Sequence, residues 1–326
     1  MEYRRLGNSG LTVSRLSLGA MGMGDKKWRS WVLDLDEAKP VVRCALDHGI
    51  NLIDSCDFYS NGSSELVLGQ LFDGFIDRNQ VLIATKFGMP MGPEANQRGY
   101  SRKHIVEAVE ASLKRLRTDR IDLYQTHIWD PRANIEEMVE ALDHLVRAGK
   151  VLYVGATDMP AWQFVKAVCY AKANRLAHFI SMQHHYNLVW REAERELFPF
   201  CHEEGIGLLP YSPMARGFLS GAARRQDGGQ TERARTDNYA AQWYGRPADE
   251  EVARAVEEVA RNRGVSPSQI ALAWVLHNPA VHSPVLGPTA VSHVDDAIGA
   301  LKIRLEGPEI ERLQAAYLPR LTASHG

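Results

Sequence analysis

Short apolar runs alternate with longer amphipathic segments along most of the chain, and this alternation constrains the fold more than any other feature. Eight runs are predicted to be strands: 15–20, 50–54, 81–86, 121–127, 151–157, 179–183, 205–211 and 283–287. Most are continuously apolar, which is typical of parallel strands covered on both faces. Helices are predicted at 36–48, 101–117, 135–148, 161–173, 193–204 and 247–264. Eight such units predict a single (β/α)8 TIM barrel over residues 1–326.

Two further segments are predicted to decorate this barrel. Residues 2–13 have the pattern of an N-terminal β-hairpin turning at Asn8-Ser9-Gly10. Residues 216–248, rich in Gly, Arg and Gln, are expected to form a long loop after the seventh strand. Loops of that length in a compact domain usually serve function or move.

Composition excludes several classes of protein. The chain has 326 residues and a net charge of −2, which argues against a general nucleic-acid or anionic-membrane surface. It contains no apolar run of membrane-spanning length, and MEYRRLGNSG is not a signal peptide. The four cysteines, at 44, 56, 169 and 201, lack CxxC spacing. We therefore expect reduced thiols in a cytoplasmic protein and no metal site.

Polar side chains follow three successive apolar runs almost without transition. Asp54, Lys86 and His127 end the second, third and fourth predicted strands, and Tyr59 follows in the loop after Asp54. In a (β/α)8 barrel these strand ends meet at one mouth, where the chemistry of such barrels resides. Taken singly, each residue has a structural alternative: an acid capping a helix, or a hydrogen-bonded core histidine.

The four residues together suit proton transfer. A free tyrosine has a pKa near ~10, and a neighbouring ammonium lowers it, so Lys86 is expected to lower the pKa of Tyr59. Asp54 would pair with Lys86 and offset its charge, while His127 would orient a substrate oxygen. The set lacks an obvious nucleophile, which favours carbonyl reduction with hydride from a nicotinamide cofactor.

The motifs resemble those of the aldo-keto reductase family across nearly the whole chain. They are "NLIDSCDFYSNGSSELVLG", "ATKFG", "DLYQTH", "VGATDMPAWQF", "SMQHHYNL", "PYSPMARGFLSG" and "PVLGPTA". Within the family, the pair Trp28 and Trp31 together with "YNLVWREAERELFPFC" is most similar to the aryl-alcohol dehydrogenase branch. The resemblance implies that Asp54, Tyr59, Lys86 and His127 are the catalytic tetrad, with Tyr59 as the acid in reduction and Asp57 a bystander.

The resemblance also implies a cofactor site. The carboxamide is expected at Gln183, Thr157 and Asp158, with the nicotinamide ring stacked on Tyr211. The remaining contacts are expected from Ala20, Met21 and Asp54 near the nicotinamide, from the backbone of Ser212, Pro213, Met214, Ala215, Arg216 and Gly217 at the pyrophosphate, and from Gly287, Thr289, Ala290, His293 and Asp296 at the adenosine ribose.

Two departures from the family pattern bear on the cofactor. Thr157-Asp158 stands where relatives usually carry Ser-Asn or Ser-Ser. Thr289 and Ala290 stand where NADP-dependent relatives carry Arg or Lys, which leaves His293 as a nearby cation. Arg233 or Arg235 of "TERARTD" would replace the missing charge, unless that segment is simply a solvated charge run. We expect NADP(H), with NAD(H) as the alternative.

Aromatic residues are predicted to wall the substrate pocket. Trp28, Trp31, Phe58, Phe87 and Trp129 are expected at the mouth, which suits aryl or alicyclic carbonyls or alcohols as the small-molecule partner. The alternative is that these rings pack helices onto the barrel, as expected for Trp162 and Trp274. The sequence leaves a homo-oligomer open.

Two rival functions follow from the same residues. A Schiff-base aldolase would use a strand-end lysine, but it needs Lys86 desolvated and unpaired although Asp54 is a ready partner. A cofactor-sensing subunit is the other, since barrels of this family also serve as potassium-channel β subunits. The chain begins almost at the hairpin, which counts against that reading.

Overall fold

A computed structural model describes residues 1–221 and 232–320. It begins with the predicted hairpin, in which β1 (Tyr3–Arg5) pairs antiparallel with β2 (Thr12–Ser14). The turn between them rests against the barrel, where the Asn8 amide donates to the Gly205 carbonyl at 2.7 Å. Gly7 has a φ of +56°, and a side chain at that position would collide with the backbone of Gly205 and Gly207. Glycine is therefore required where the hairpin meets the barrel.

Eight parallel strands form the barrel, each within or overlapping a run predicted from sequence. They are β3 (Ser17–Gly19), β4 (Leu52–Asp54), β5 (Leu82–Phe87), β6 (Ile121–Thr126), β7 (Val151–Thr157), β8 (Phe179–Gln183), β9 (Gly207–Leu208) and β10 (Val285–Leu286). Neighbours in the sheet follow chain order, and β10 returns to pair with β3. The Val285 amide donates to the Pro210 carbonyl at 2.8 Å, which closes the barrel after β9.

Helices surround the barrel. They are α1 (Leu35–Asp47), α2 (Ser63–Leu71), α3 (Arg102–Leu116), α4 (Ile135–Arg147), α5 (Ala161–Ala173), α6 (Leu197–Glu204), α7 (Glu232–Thr236), α8 (Asn238–Trp243), α9 (Pro247–Arg263), α10 (Pro267–His277), α11 (Val291–Ala300) and α12 (Gly307–Gln314). The six predicted helices are present, although α6 begins four residues later than expected. Capping chemistry explains several starts: Asp34 and Glu37 form a reciprocal capping box at α1, and the Ser101 side chain caps α3.

Two apolar layers hold these elements together. One fills the inside of the barrel near its hairpin end, with Leu6 and Val13 packed against Leu52, Ala84 and Leu123. The larger layer lies between the strands and the helices. Trp274 is buried in that layer, as expected. Trp162 is 67% exposed, so the prediction that it packs a helix onto the barrel is wrong.

The stretch 216–248 is not a continuous loop. Its described part contains α7, α8 and the start of α9, and Tyr244 and Ala240 from it are buried. Residues 222–231 of the predicted loop lie outside the described residues. In the part of the chain that is described, no helix is both long and apolar enough to cross a membrane.

Candidate active site

Four polar side chains meet at the carboxyl end of the barrel. Asp54 ends β4, Lys86 lies near the end of β5, His127 follows β6, and Tyr59 opens a short 3-10 helix after β4. Lys86 Nζ lies 2.6 Å from Asp54 Oδ2 and 3.5 Å from the Tyr59 hydroxyl. The Tyr59 and His127 rings meet edge to face, with centroids 5.9 Å apart. The structure therefore brings together all four residues predicted as a tetrad.

The Asp54 carboxylate is held by three donors. Oδ2 accepts from Lys86, while Oδ1 accepts from Gln183 Nε2 at 2.9 Å and Gln125 Nε2 at 3.1 Å. All four side chains are buried, so these bonds offset the cost of removing an ion pair from water. Gln183 was expected to hold a cofactor carboxamide. Since its amide nitrogen already serves Asp54, that role would fall to its carbonyl oxygen.

Burial and charge act in opposite directions on Lys86 and Tyr59. Burial alone would lower the pKa of the Lys86 ammonium, but Asp54 and Tyr59 reverse this and the pKa is raised. Burial raises the pKa of Tyr59 well above its ordinary value, although the Lys86 charge pulls it down. The expected lowering by Lys86 is therefore present as one contribution, but desolvation outweighs it. Tyr59 is a protonated phenol beside a fixed cation.

His127 is a neutral imidazole. Burial, followed by the nearby Lys86 charge, lowers the pKa of His127 to about 3. Its Nδ1 lies 3.1 Å from the Sγ of Cys56, which is completely buried. Burial also raises the pKa of the Cys56 thiol well above its ordinary value, so the sulfur carries its proton. The sequence analysis did not predict this contact, because it treated the cysteines only as possible disulfide or metal partners.

Asp57 is buried directly behind the tetrad. Its Oδ1 lies 3.3 Å from Cys56 Sγ, and its Oδ2 has no hydrogen-bond partner among the described residues. Burial, with a further contribution from Glu65, raises the pKa of Asp57 to about 7. The sequence interpretation made Asp57 a bystander; its burial makes it a group that titrates near neutral pH.

On the opposite side of the mouth, aromatic rings form a stack that ends at Tyr211. His185 lies between Trp190 and Tyr211, with centroid distances of 4.4 and 5.1 Å and near-parallel planes. His185 Nε2 lies 2.6 Å from the Tyr244 hydroxyl, which fixes the imidazole within this stack. The sequence analysis missed His185, although its position two residues after strand-end Gln183 is a signal that points to it.

Asp158 carries a charge that the Asn or Ser of relatives lacks, and two side chains contact its carboxylate. Asp158 Oδ2 accepts from the Tyr211 hydroxyl at 2.8 Å, and Oδ1 lies 3.3 Å from His184 Nδ1. The acid therefore orients Tyr211 and stands beside an imidazole. Thr157 is buried, and its Oγ1 has no hydrogen-bond partner within the described chain. This hydroxyl is the member of the Thr157-Asp158 pair left to contact a ligand.

The backbone after Tyr211 is strained. Ser212, Ala215 and Arg216 have φ values of 53°, 49° and 54°, which are unusual for residues with a Cβ. Two N–H groups are used within this turn, where Ala215 and Gly217 donate to the Ser212 and Met214 carbonyls at 2.9 and 3.1 Å. The Arg216 guanidinium pairs with buried Asp237 at 2.6 Å, which anchors this turn to the segment before α8. Pro213, Met214 and Gly217 complete the predicted pyrophosphate segment.

The predicted ribose subsite lies at the start of α11. The Thr289 amide donates to His293 Nδ1 at 3.2 Å, and burial lowers the pKa of His293. His293 is therefore neutral at pH 7, not the cation that the sequence suggested. The Asp296 carboxylate accepts from the Ser266 hydroxyl at 2.8 Å and is committed to the start of α10. Gly287 and Ala290 flank Thr289 at the surface of this subsite.

Arg233 brings a positive charge to the same place. Its Nη1 lies 3.4 Å from the Gly287 carbonyl, and its guanidinium stacks 4.5 Å over the Trp31 ring. Asp237 accepts from its Nε at 3.4 Å. Arg235 instead pairs with neighbouring Glu232 and is exposed. Of the two arginines that the sequence suggested for this role, Arg233 reaches the predicted ribose subsite. Arg235 is a solvent-exposed surface charge.

The five predicted pocket aromatics separate into two groups. Trp28, Phe58 and Trp129 are partly exposed, and Trp28 meets Phe58 edge to face at 6.4 Å. Trp31 is buried beneath Arg233. Phe87 is completely buried and stacks on Tyr124 at 4.7 Å, so its placement at the mouth is wrong. Successive strand residues face opposite ways, and Phe87 follows inward-facing Lys86.

Ala20 and Met21 lie in a 3-10 turn (Ala20–Gly22) that follows β3 at the same end of the barrel. The Ala20 carbonyl accepts from the Ser64 hydroxyl at 2.8 Å, which ties this turn to α2. Ala20 is buried and Met21 partly exposed. The turn places Met21 at the side of the mouth formed by β3 and β4.

The aldolase alternative needs a free amine. Lys86 is instead paired with Asp54 and donates to the Ser55 carbonyl at 2.9 Å. Its raised pKa keeps it protonated, whereas an imine-forming lysine must lose its proton. The geometry therefore argues against Schiff-base chemistry at Lys86.

Comparisons with known proteins agree with this geometry. A sequence model described as "Aldo/keto reductase family" matches residues 15–318. "Versiconal hemiacetal acetate reductase" of Aspergillus parasiticus is 38% identical, over 98% of this chain and 98% of its own length. A Schizosaccharomyces pombe protein named "Putative aryl-alcohol dehydrogenase" is 38% identical, over 97% of this chain and 96% of its own length. "Aldo-keto reductase AMT2" of Alternaria alternata is 38% identical, over 99% and 93%.

Proposed function

Because the chain belongs to the aldo/keto reductase family and is an oxidoreductase, we propose that it interconverts aldehydes or ketones with alcohols, using Tyr59 as the proton donor and acceptor. One observation carries this proposal: the Tyr59 hydroxyl lies 3.5 Å from Lys86 Nζ. Lys86 is itself buried and forms an ion pair with Asp54. We propose that the chain acts as one domain, 1–326, and works in the cytoplasm on small molecules.

The residues fit a nicotinamide dinucleotide. The backbone of the strained turn from Ser212 to Gly217 would receive the pyrophosphate. Thr157 Oγ1 is a buried hydroxyl without a partner in the described chain, as a carboxamide contact requires. Tyr211 is held by Asp158 on one edge and by His185 on one face, which leaves its other face for a nicotinamide ring.

In reduction, each of the four tetrad residues has a separate role. When bound, a nicotinamide cofactor would supply the hydride for the carbonyl carbon. Tyr59 donates its phenolic proton to the carbonyl oxygen, and Lys86 stabilises the phenolate that remains. Neutral His127 orients that oxygen through Nε2, which requires the ring proton on that nitrogen. Asp54 holds Lys86 in place, and oxidation of an alcohol follows the same proton path in reverse.

We propose NADP(H) in preference to NAD(H). The cation that pairs with the 2′-phosphate is then Arg233, which approaches from the segment after β9 and replaces the missing basic residues at Thr289 and Ala290. Support comes from the 3.4 Å approach of Arg233 to the Gly287 carbonyl and from its stacking on Trp31. Although burial lowers the pKa of Arg233 to about 10, the side chain stays charged at pH 7.

We propose aryl or alicyclic carbonyls as substrates. Trp28, Phe58 and Trp129 are the partly exposed rings in the loops at the mouth, and flat apolar surfaces of this kind suit ring-bearing ligands. One relative carries the name "Putative aryl-alcohol dehydrogenase", which fits the aryl part of this proposal.

The test has two stages. NADPH and NADH are titrated separately into the protein while its tryptophan fluorescence is followed. Oxidation of NADPH is then monitored with benzaldehyde, cyclohexanone or glucose as the carbonyl. We expect tighter binding of NADPH and faster turnover of the two ring carbonyls than of glucose. Failure of both dinucleotides to bind would overturn the proposal; preference for glucose would overturn only the substrate class.

A further inference from the structure

Away from the barrel mouth, three metal-binding side chains meet on the outer surface where α1 and α11 pack. Cys44 and His48 stand one helical turn apart, at i and i+4 on α1, and Asp295 lies opposite on α11. Asp295 Oδ1 is 2.9 Å from His48 Nε2 and 3.5 Å from Cys44 Sγ. We propose that these three side chains form a binding site for Zn²⁺.

The distances suit that ion. A tetrahedral zinc site with bonds of about 2.0–2.3 Å has ligand-to-ligand edges of about 3.3–3.7 Å. One ligand atom from each of the three side chains lies within 4.8 Å of the others, and two of the three edges measure 2.9 and 3.5 Å. Side-chain adjustments of up to about one ångström would therefore bring Cys44, His48 and Asp295 around one ion. A water would take the fourth position.

The donor set selects the metal class. One sulfur, one imidazole nitrogen and one carboxylate oxygen form a combination that zinc accepts, whereas calcium and magnesium need oxygen ligands. Asp47 is an acidic residue of the same helix, α1, and its negative charge adds to the attraction for a cation. Binding replaces the thiol proton: the S–H bond breaks, a Zn–S bond forms, and one proton passes to solvent.

An ordinary surface ion pair between His48 and Asp295 does not account for all of these contacts. Cys44 Sγ approaches the same carboxylate oxygen that His48 contacts, so a sulfur and a nitrogen meet at one oxygen. The spacing of the cysteines, on which no metal site was expected, compares thiols only with one another. Asp295 is 247 residues from His48, and only the packing of α11 on α1 unites them.

A metal here would tie α1 to α11. The first turn of α11 contains His293, and Thr289 just before it contacts that ring. An ion bound through Asp295 therefore fixes the helix whose start forms the predicted ribose subsite. We expect zinc to raise the thermal midpoint of the protein, because it binds the folded arrangement and not the unfolded chain.

The test uses Co²⁺ as a spectroscopic probe on the full-length, reduced protein. We expect one equivalent to bind with a near-ultraviolet sulfur-to-cobalt charge-transfer band that Zn²⁺ abolishes. Cys44→Ser should lose the band, and His48→Ala and Asp295→Asn should weaken binding more than about ten-fold. Cys169→Ser, which removes an exposed thiol elsewhere, is the matched control and should bind like wild type.

Thermal midpoints measured in EDTA and in Zn²⁺ provide a second readout. Variants that are folded in EDTA but gain no stability from Zn²⁺ would support the site. A charge-transfer band that persists in Cys44→Ser, or unchanged affinity in both His48→Ala and Asp295→Asn, would overturn it. Absence of any band in wild type would also overturn it, and none of these results depends on the reductase activity.

Discussion

Cys56 Sγ lies 3.1 Å from His127 Nδ1 and 3.3 Å from Asp57 Oδ1, so the one thiol proton has two acceptors within reach. A raised pKa keeps the Cys56 thiol protonated, and His127 is neutral. When the thiol donates to Nδ1, the imidazole proton resides on Nε2, and that nitrogen is able to donate to a carbonyl oxygen. We therefore expect Cys56 to be a positioning residue that acts through His127.

Cys56→Ala should lower kcat/KM about three- to ten-fold, because a single weak hydrogen bond contributes roughly 1 kcal/mol. Cofactor affinity should stay at the wild-type value, since Cys56 is buried behind the tetrad. Long-range ¹H–¹⁵N NMR on labelled protein reports the tautomer: wild type should carry the His127 proton on Nε2, and the variant a mixture. Cys56→Ser should restore most of the activity, and Cys169→Ala should change nothing. Equal rates and equal tautomers in Cys56→Ala and wild type would contradict the role.

Tyr59→Phe should reduce kcat about 10²–10⁴-fold, the range that general acid catalysis contributes. The ring and its edge contact with His127 remain, so the pocket keeps its shape. Stopped-flow single turnover and NADPH titration measure the two quantities separately, and the Kd for NADPH should change less than about two-fold. Tyr3→Phe, on the exposed hairpin, is the matched control. A near wild-type rate in Tyr59→Phe would assign the proton to another group.

The strands and the meeting of Asp54, Lys86 and His127 at one mouth were predictable because their signals are local. An apolar run that stops at Asp54 or Lys86 indicates a buried strand and its polar end, and the barrel topology then brings these ends together. The burial of Phe87 could also have been predicted. Successive residues of a strand point to opposite faces, so a neighbour of inward-facing Lys86 points out of the barrel toward the helices. Strand alternation predicts the direction of a side chain, but it does not predict which ring or sulfur that side chain contacts. The contacts of His127 with Cys56 and of His185 with Tyr211 arise only from packing.

Among the described helices, the sequence did not predict α2, α7, α8, α10, α11 and α12, and three of these have clear physical reasons. Six consecutive residues of α10, from Ile270 to Val275, are buried, so this helix has no polar stripe to give a 3.6-residue period. The short α7 and α8 lie in a polar segment whose sequence pattern is that of a loop. Their order depends on tertiary ion pairs such as Arg216 with Asp237, which join residues 21 positions apart.

Arg233→Gln should weaken NADPH binding about ten- to hundred-fold while leaving NADH binding unchanged. A charge-assisted bond to a phosphate is worth roughly 1.5–3 kcal/mol, and NADH lacks the 2′-phosphate. Asp237 keeps Arg216 as its partner, so the fold should tolerate the change. Arg235→Gln removes the same charge from an exposed position and should not affect either affinity. Equal losses for NADPH and NADH would show that Arg233 shapes the segment and does not recognise the phosphate.

Asp57→Asn should change how stability depends on pH. Burial raises the pKa of Asp57 from 3.8 to about 7 in the folded protein, so the folded state binds a proton that the unfolded chain has released. The bound proton stabilises the folded state below pH 4, and this stabilisation is lost as the pH rises through 7. Asparagine cannot ionise, so its stability relative to wild type should increase by about 3 kcal/mol between pH 5 and pH 8.

Urea unfolding at a series of pH values measures this difference. Glu251→Gln is the control, because that carboxyl is exposed and its pKa is lowered, so it should not show a rise between pH 5 and pH 8. A difference between Asp57→Asn and wild type that stays constant from pH 5 to pH 8 would mean that Asp57 ionises freely in the fold. The buried Oδ2 would then need a donor that the surrounding side chains do not offer, since none of the described residues bonds to it.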